Sequence, residues 1–318
     1  MRVVVALGRN SLLRRGEPPE AEIQERHVGA AVEALVPLAR DHDLVVAYGD
    51  GPQLGLFALE GAQDSSLSHP YPFDVLGAQT QGMIGYWLLQ ALENELPGQQ
   101  IVSLICQTLV DADDPAFQNP TKFVGPVYQE DDARRLAIQR GWQVRQDGSS
   151  WRRVVASPEP QALVEMPTIR TLLGDGAVVV CAGGGGIPVR RSASGRLHGA
   201  DAVVDMHLTA AMLARDLGAD ALLLLTDVSA VETASGRDNA KPIHRSSPSA
   251  LRSQNFPSGS MGPKVDAACR FVESTGKVAG IGRLEHAVDL LDGNAGTFVT
   301  LDTLSVDPKL SAVGSSVA

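Results

Sequence analysis

The residues best suited to chemistry in this sequence stand where short apolar runs end in glycine. One such run, residues 178–182, is followed by four consecutive glycines at residues 183–186. This pattern predicts a buried strand that stops at a backbone without side chains. Glycine lets another group come against the main chain, and bare N–H groups at a strand end can hold a phosphate. A flexible loop or a tight turn is the alternative interpretation of four glycines alone.

Two earlier strand ends have a similar composition and favour the phosphate-binding interpretation. The apolar run at residues 2–7 is followed by Gly8, Arg9, Asn10 and Ser11. The run at residues 44–47 is followed by Tyr48, Gly49, Asp50, Gly51 and Pro52. Ligands of parallel sheets bind where the carboxyl ends of the strands meet the loops. These strand ends are therefore the candidate ligand site.

Predicted strands and helices alternate along most of the chain. Further strands are predicted at residues 101–106, 177–181, 221–225, 278–281 and 297–300. Helices are predicted at residues 21–40, 74–96, 168–173 and 207–217, and another opens at residues 258–264. Such alternation is typical of an α/β fold with a parallel sheet covered on both faces.

Residues 111–167 differ in composition and are predicted to form an inserted flap. The segment contains several proline dipeptides, and two tryptophans flank a predicted hairpin turn at Asp147 and Gly148. Insertions on the ligand side of α/β domains often act as lids. Lys122 is the flap residue singled out as a ligand-binding candidate, and a solvated surface lysine is the alternative.

The composition argues against several classes of protein. A net charge of −10 and the lack of a Lys/Arg-rich block argue against nucleic-acid binding. No stretch approaches the roughly 20 apolar residues of a membrane span, and the first residues lack a signal-peptide pattern. Three widely spaced cysteines indicate neither a disulfide framework nor a zinc site. A cytoplasmic protein with a disordered tail at residues 304–318 is therefore expected.

Over about residues 1–300, the chain resembles carbamate kinases, which have the amino-acid kinase fold. The resemblance is carried by the strand ends above and by the specific combination of Asn119, Pro120, Thr121 and Lys122 with the four glycines. It implies a three-layer α/β/α fold with a mostly parallel central sheet, and a homodimer. The implied parts of the domain at residues 1–303 are a carbamoyl-binding half (1–110), the flap (111–167) and a nucleotide-binding half (168–303).

The resemblance implies the reaction ATP + carbamate ⇌ ADP + carbamoyl phosphate with Mg²⁺. In this family the reaction commonly runs toward ATP in carbamoyl phosphate catabolism, as in the arginine deiminase pathway. Carbamate is already an anion, so its attack on the γ-phosphoryl group needs no general base. The protein has to align two anions and neutralise charge on the moving phosphoryl group. An active site of glycines and lysines without a Ser/His/Asp set suits these requirements.

The family's functional residues are carried over to the matching positions of this sequence. The implied catalytic residues are Gly8, Asn10, Lys122 and Lys264. The implied carbamoyl-binding residues are Gly49, Asp50, Gly51 and Pro52. The implied nucleotide-binding residues are Gly183, Gly184, Asp227, Met261 and Gly262. No protein side chain is implied as a dedicated metal ligand.

Several positions depart from the family pattern on the phosphate and nucleotide side. Arg9 replaces a glycine, and Met206 and His207 replace a lysine and an aspartate. Glu232 stands where a tyrosine is usual near the adenine, and Asp50 stands where asparagine is usual. Loss of a phosphate-bridging lysine is expected to lower the rate of phosphoryl transfer roughly 10²–10⁴-fold. An arginine in a turn that needs positive φ would cost on the order of 1 kcal/mol.

These departures leave two hypotheses open. The first is a carbamate kinase of reduced or altered activity, in which Arg9 and Lys264 supply the missing charge, since a guanidinium binds phosphate well. The second is a pseudoenzyme that binds carbamoyl phosphate or a protein partner without turning over ATP. A weaker third is a phosphotransferase for another small carboxylate, against which the intact flap sequence argues. His207 is either a weak metal ligand or cation, or an ordinarily packed residue at a helix start.

Overall fold

The central element of the fold is an eight-stranded sheet. The structure, a computed structural model, describes residues 1–14, 16–50, 52–233, 240–257 and 261–301. Its strands are β1 (Arg2–Leu7), β2 (Asp43–Tyr48), β3 (Ile101–Ser103), β4 (Gln107–Leu109), β5 (Lys122–Tyr128), β6 (Gln143–Asp147), β7 (Ser150–Val155), β8 (Ala162–Leu163), β9 (Val178–Val180), β10 (Ile187–Arg191), β11 (Leu197–Gly199), β12 (Ala221–Thr226), β13 (Val231–Thr233), β14 (Lys241–Ile243), β15 (Arg245–Ser246), β16 (Val278–Arg283) and β17 (Thr297–Val299). Its helices are α1 (Arg9–Leu12), α2 (Ala21–Asp41), α3 (Gln53–Gln63), α4 (Phe73–Glu95), α5 (Glu130–Arg140), α6 (Met166–Gly174), α7 (Met206–Leu217), α8 (Pro248–Arg252), α9 (Met261–Thr275) and α10 (Ala287–Leu291).

The strand order of the central sheet brings the glycine-rich strand ends together. The order is β15-β17-β16-β12-β1-β2-β9-β3, and every pair is parallel except β16 with β17. β1 therefore lies between β12 and β2, with β9 next to β2. The carboxyl ends of these four strands share one edge of the sheet. The predicted mostly parallel sheet is confirmed.

Helices cover both faces of this sheet. Val4 and Ala6 of β1 enter an apolar core with residues of α6, α7 and α9. Val3, Val5 and Leu7 of the same strand enter a second core with residues of α2, α4 and α10. Successive side chains of a strand point to opposite faces, so a strand buried on both faces reads as an uninterrupted apolar run. The predicted three-layer α/β/α fold is confirmed.

The flap contains a small antiparallel sheet of order β5-β7-β6, with α5 between β5 and β6 in the chain. The predicted hairpin turn at Asp147 and Gly148 joins β6 to β7, and Gly148 has φ +64°. Val124 and Val155 of the flap pack with Leu54 of α3 in one apolar cluster. This flap sheet, residues 122–155, therefore rests on the body of the protein through α3.

The predicted strand at residues 101–106 is wrong. β3 ends at Ser103, and β4 belongs to a separate four-stranded sheet of order β11-β10-β4-β8. The buried Gln81 side chain separates them, because it accepts from the Cys106 N–H at 2.9 Å and donates to the Cys106 carbonyl at 3.1 Å. The Cys106 carbonyl also accepts from the N–H of Ile187 in β10 at 2.8 Å, so Cys106 is bonded to Gln81 and β10 instead of to the central sheet. β8 pairs with β4 and not with the flap sheet. The flap sheet therefore ends with β7 at Val155, well before residue 167.

Two regions of the sequence prediction need separate mention. The tail predicted at residues 304–318 lies outside the described residues, as do residues 258–260 before α9. Within the described part of the chain, no helix combines the length and the apolar character that crossing a bilayer would require.

Candidate active site

The first strand end is held against its neighbour in the sheet. Gly8, which follows β1, donates its N–H to the carbonyl of Leu225 in β12 at 3.0 Å. A Cβ atom on Gly8 would lie 2.8 Å from that oxygen and 3.9 Å from Cε of Lys264. A side chain is therefore excluded at Gly8, and Lys264 lies beside the bare backbone. Asn10 donates from Nδ2 to Oδ2 of Asp227 at 3.0 Å, which joins the ends of β1 and β12.

The second strand end lies against the first and against the start of α7. A Cβ atom on Gly49 would lie 3.0 Å from the amide nitrogen of Arg9 and 3.3 Å from Sδ of Met206. Arg9 and Met206 therefore flank the same bare backbone. Pro52 takes the N-cap position of α3. Gly51, which precedes it, lies outside the described residues.

The four glycines after β9 form a tightly held turn. Gly184, Gly185 and Gly186 have φ of +63°, +91° and +85°, a conformation that other residues rarely adopt. The Gly185 carbonyl accepts hydrogen bonds from Oγ1 of Thr108 at 2.7 Å and from Oγ1 of Thr209 at 2.9 Å. Both hydroxyls are buried, so they fix the turn from beneath. This anchoring favours the phosphate-binding interpretation over a flexible loop.

Asp50 lies where the second and third strand ends meet. A Cβ atom on Gly184 would lie 3.2 Å from Cβ of Asp50, and Gly183 backs onto the ring of Tyr48. Burial raises the pKa of Asp50 to about 6, although the charges of Lys122 and Arg9 oppose the rise and that of Asp205 adds to it. The carboxyl group is therefore ionised only in part at mildly acidic pH.

Asp50→Asn is expected to stabilise the protein above pH 6. The folded state holds the Asp50 proton more tightly than the unfolded chain, so the stability this proton gives is full below about pH 4 and is lost as the pH rises through 6. Asparagine resembles the protonated carboxyl and avoids that loss, which is about 3 kcal/mol for a pKa rise from 3.8 to about 6. Denaturant unfolding of both proteins from pH 4 to 8 measures the difference. A difference that did not change with pH would contradict this account.

A partly buried ion pair joins the flap to the start of α7. Nζ of Lys122, the first residue of β5, lies 2.6 Å from Oδ2 of Asp205. Asp205 is the N-cap of α7, and its Oδ1 accepts from the backbone N–H of His207 at 2.9 Å. Burial alone would raise the pKa of Asp205, but the Lys122 ammonium and the His207 hydrogen bond hold it well below its usual value. Lys122 is therefore turned into the site and not into solvent.

Two further cations converge on the strand ends. Burial lowers the pKa of Lys264, and the charges of Arg9 and Lys122 lower it further against the opposing effect of Asp205 and Asp227. Arg9 is exposed, yet its guanidinium is near enough to shift the pKa of both Lys264 and Asp50. A concentration of positive charge beside bare backbone N–H groups can bind a polyphosphate and neutralise charge on a transferred phosphoryl group.

The backbone at Arg9 carries no strain. Arg9 opens α1, and Ala182 is the one non-glycine residue with positive φ among the described residues. The condition under which an arginine at this turn would cost about 1 kcal/mol, a positive φ, is therefore not met.

Comparison with known proteins identifies the family to which this fold belongs. Residues 1–281 match the amino acid kinase family. The chain belongs to the amino acid kinase family. Its central sheet accordingly has the amino-acid kinase fold.

Within the amino acid kinases, relatives over nearly the whole chain are carbamate kinases. The carbamate kinase of Rhizobium meliloti is 50% identical over 303 residues, which are 94% of this chain and 93% of that protein. The carbamate kinase of Haemophilus influenzae is 48% identical over 304 residues, 95% of this chain and 98% of that protein. The solved structure of Giardia lamblia carbamate kinase bound to AMP-PNP has a TM-score of 0.85 and 36% identity, covering 95% of this chain and 98% of that chain. The predicted resemblance to carbamate kinases is confirmed.

At Met206 and His207, the predicted departures from the carbamate kinase pattern in α7, the first side chain is buried and the second is 12% exposed. Met206 is 7% exposed and joins the apolar core beside α7. Burial lowers the pKa of His207, and Lys264 and Lys122 lower it further despite the opposing Asp205 carboxylate. The His207 imidazole is therefore neutral at pH 7 and does not replace a lost cation. No group of three potential metal-binding side chains occurs among the described residues.

Residues predicted to lie near the nucleotide, Met261 with Gly262 and Glu232, occupy two different places in the structure. Met261 and Gly262 open α9, the helix that carries Lys264, and Gly262 donates its N–H to the carbonyl of Pro257 at 2.9 Å. Glu232 lies exposed on the two-stranded sheet of β13 and β14. Within the described residues, no hydrogen bond or ion pair joins Glu232 to the cations around Gly8.

Asp205 is the functional candidate that sequence reasoning left without a role. An aspartate directly before a helical apolar run is a recognisable N-cap signal. That signal predicts the cap but not the partner, because Lys122 lies 83 residues earlier in the chain. Thr108 and Thr209 were also missed, since nothing local marks a threonine that hydrogen-bonds a distant carbonyl.

Proposed function

We propose that this amino acid kinase transfers a phosphoryl group between ATP and carbamate, with ADP and carbamoyl phosphate on the other side of the reaction. The observation that carries the proposal is the convergence of Arg9, Lys122 and Lys264 on three glycine-rich strand ends. Carbamate needs no base, so charge neutralisation and alignment are the chemistry required. The near full-length identity to carbamate kinases supports the same reaction.

The proposed division of labour follows the edge of the sheet. The carbamoyl group would bind at Gly49, Asp50, Gly51 and Pro52, beneath Lys122 of the flap. The transferred phosphoryl group would lie between Gly8, Asn10 and Lys264. ATP or ADP would bind along Gly183, Gly184, Asp227, Met261 and Gly262, and the nucleotide analogue AMP-PNP in the Giardia lamblia relative supports a nucleotide as substrate.

Magnesium belongs to the proposal as an ion that enters with the nucleotide. Mg²⁺ is usually bound through substrate phosphates and one or two carboxylates, not by a complete protein cage. Asp227 fits that role, because it is an exposed carboxylate at the end of β12 and lies 3.0 Å from Asn10. The bound ion would neutralise negative charge on the polyphosphate.

The alternative is a pseudoenzyme, and the buried Met206 is the observation that favours it. A methionine beside Gly49 removes a cation from the phosphate path, and neutral His207 does not return it. The location of Arg9 argues for a working kinase, because its charge acts on the same Asp50 and Lys264 that line that path.

ATP formation from carbamoyl phosphate, ADP and Mg²⁺ tests the proposal directly. We expect magnesium-dependent ATP production well above that of a protein-free control, which corrects for spontaneous decay of carbamoyl phosphate. No ATP from a folded protein would overturn kinase activity. Calorimetry with ADP and with carbamoyl phosphate would then identify a pseudoenzyme that binds either ligand.

A cytoplasmic homodimer acting in the arginine deiminase pathway completes the proposal. Tyr86 of α4 and Ile105 after β3 are each 55% exposed, and β3 is the last strand of the central sheet. Exposed apolar residues next to an open sheet edge suit contact with a second copy. Sedimentation of the purified protein measures the mass that decides between one chain and two.

A further inference from the structure

The flap touches the body of the protein at a contact between two glycines. Gly55 lies in the first turn of α3, directly after the second strand end, and Gly125 lies in β5 of the flap. A Cβ atom on Gly55 would lie 2.5 Å from Cα and 2.6 Å from the nitrogen of Gly125. No side chain fits between these backbones, so the flap rests on α3 at the closest distance that two main chains allow.

The flap side of this contact has a special backbone shape. The pairing of β5 with β7 shifts register between Val124 and Tyr128, and Gly125 has φ +71°. The Gly125 carbonyl accepts from Nη2 of Arg152 at 2.8 Å and from Nε of the same guanidinium at 3.2 Å. A bulge redirects a strand locally, and the arginine holds this one in place. The contact surface is therefore preformed on the flap.

The same strand carries Lys122 to the site. Lys122 lies three positions before Gly125 in β5, and its Nζ is 2.6 Å from Oδ2 of Asp205. The flap is thus fixed at two points along one strand, at α3 and at the start of α7. A displacement at Gly125 would be transmitted along β5 to the ammonium group of Lys122.

We propose that Gly55 is a positioning residue that sets how far the flap closes and so where Lys122 meets the substrate. This role rests on the proposed kinase function, in which Lys122 contacts the carbamoyl end. A methyl group at Gly55 needs roughly 1 Å of additional separation, because nonbonded carbons pack at about 3.5–4.0 Å. Displacements of that size at a catalytic group cost up to about 100-fold in rate.

Gly55→Ala is the variant that tests the contact between Gly55 and Gly125, and Gly61→Ala is its matched control. Gly61 lies in the same helix, and a Cβ atom there meets nothing closer than 4.0 Å. We expect Gly55→Ala to lower kcat/KM for carbamoyl phosphate about 10- to 100-fold, with Kd for ADP unchanged. Gly61→Ala should match the wild type. In a Lys122→Ala background, Gly55→Ala should have no further effect on kcat/KM.

Amide hydrogen exchange separates this inference from the kinase proposal, since it requires no turnover. We expect Gly55→Ala to speed exchange in the flap sheet, residues 122–155, and to leave the central strands protected. Unchanged exchange in the flap sheet would overturn the positioning role of Gly55 even if the kinase is active. Faster exchange throughout the central sheet would assign Gly55 to global stability and overturn its positioning role. If Gly55→Ala lowered kcat/KM as much in the Lys122→Ala background as in the wild type, its positioning role would also be overturned.

Discussion

Lys264→Met is expected to lower kcat/KM for carbamoyl phosphate roughly 10²–10⁴-fold without loss of folding stability. Lys264 lies beside the bare backbone of Gly8, where the proposed phosphoryl group binds. Burial and the charges of Arg9 and Lys122 lower its pKa, so the charged ammonium group lowers the stability of the folded state. Methionine keeps much of the volume and removes that cost. Lys264→Met should therefore lower kcat/KM while the free energy of unfolding stays unchanged or rises.

Steady-state kinetics and denaturant unfolding of the same preparation measure both effects. Lys277→Met is the matched control, because Lys277 is exposed and pairs with Asp220 at 3.0 Å on the opposite edge of the sheet, before β16. That variant should keep wild-type turnover. A loss of activity in Lys264→Met that merely followed a loss of stability would contradict a role for Lys264 at the phosphoryl group.

Arg9→Gly is expected to lower kcat/KM about 10- to 100-fold, and Met206→Lys is expected to restore part of the loss. The main chain of Arg9 and the side chain of Met206 flank the same bare backbone at Gly49, and the Arg9 guanidinium acts on Asp50 and Lys264. We therefore expect Met206→Lys to supply charge to the same region. In the presence of Arg9, Met206→Lys places a second cation there at a site that is 7% exposed. The single variant should then be less stable and no more active than the wild type, since a buried charge without a partner is costly.

A double-mutant cycle over these two positions measures the coupling as kcat/KM and as the free energy of unfolding. The diagnostic result is a change of sign: Met206→Lys helps without Arg9 and does not help with it. Independent, additive effects would show that Arg9 does not stand in for the missing lysine, and the charge would then have to be sought elsewhere.

The elements of the fold were predictable where the signal is local. β1, β2, β9 and β12 are largely apolar runs because both of their faces are buried. The strand at residues 101–106 failed for a nonlocal reason. Its apolar composition persists to Cys106, but hydrogen bonds from Gln81, 25 residues earlier in the chain, end the pairing.

The candidate site was predictable as a set of positions but not as a set of interactions. The glycine-rich strand ends were recognised from composition, Lys122 as a flap candidate, and Lys264 from the resemblance to carbamate kinases; the structure places them along one edge of the sheet. The partner of Lys122 and the neutral state of His207 depend on burial and on contacts between distant segments. The shape of the backbone at Arg9 depends likewise on the short helix that begins there and not on its replacement of a glycine.

If Lys122 contacts the substrate as proposed, the substrate anion has to compete with the Asp205 carboxylate for this ammonium group. Any anion that recruits Lys122 exchanges one carboxylate partner for another, so the net gain is smaller than that of a newly formed ion pair. The same exchange returns Lys122 to Asp205 when the product leaves, which lowers the cost of release. In such an enzyme the anionic ligand binds less tightly, and the product is released faster.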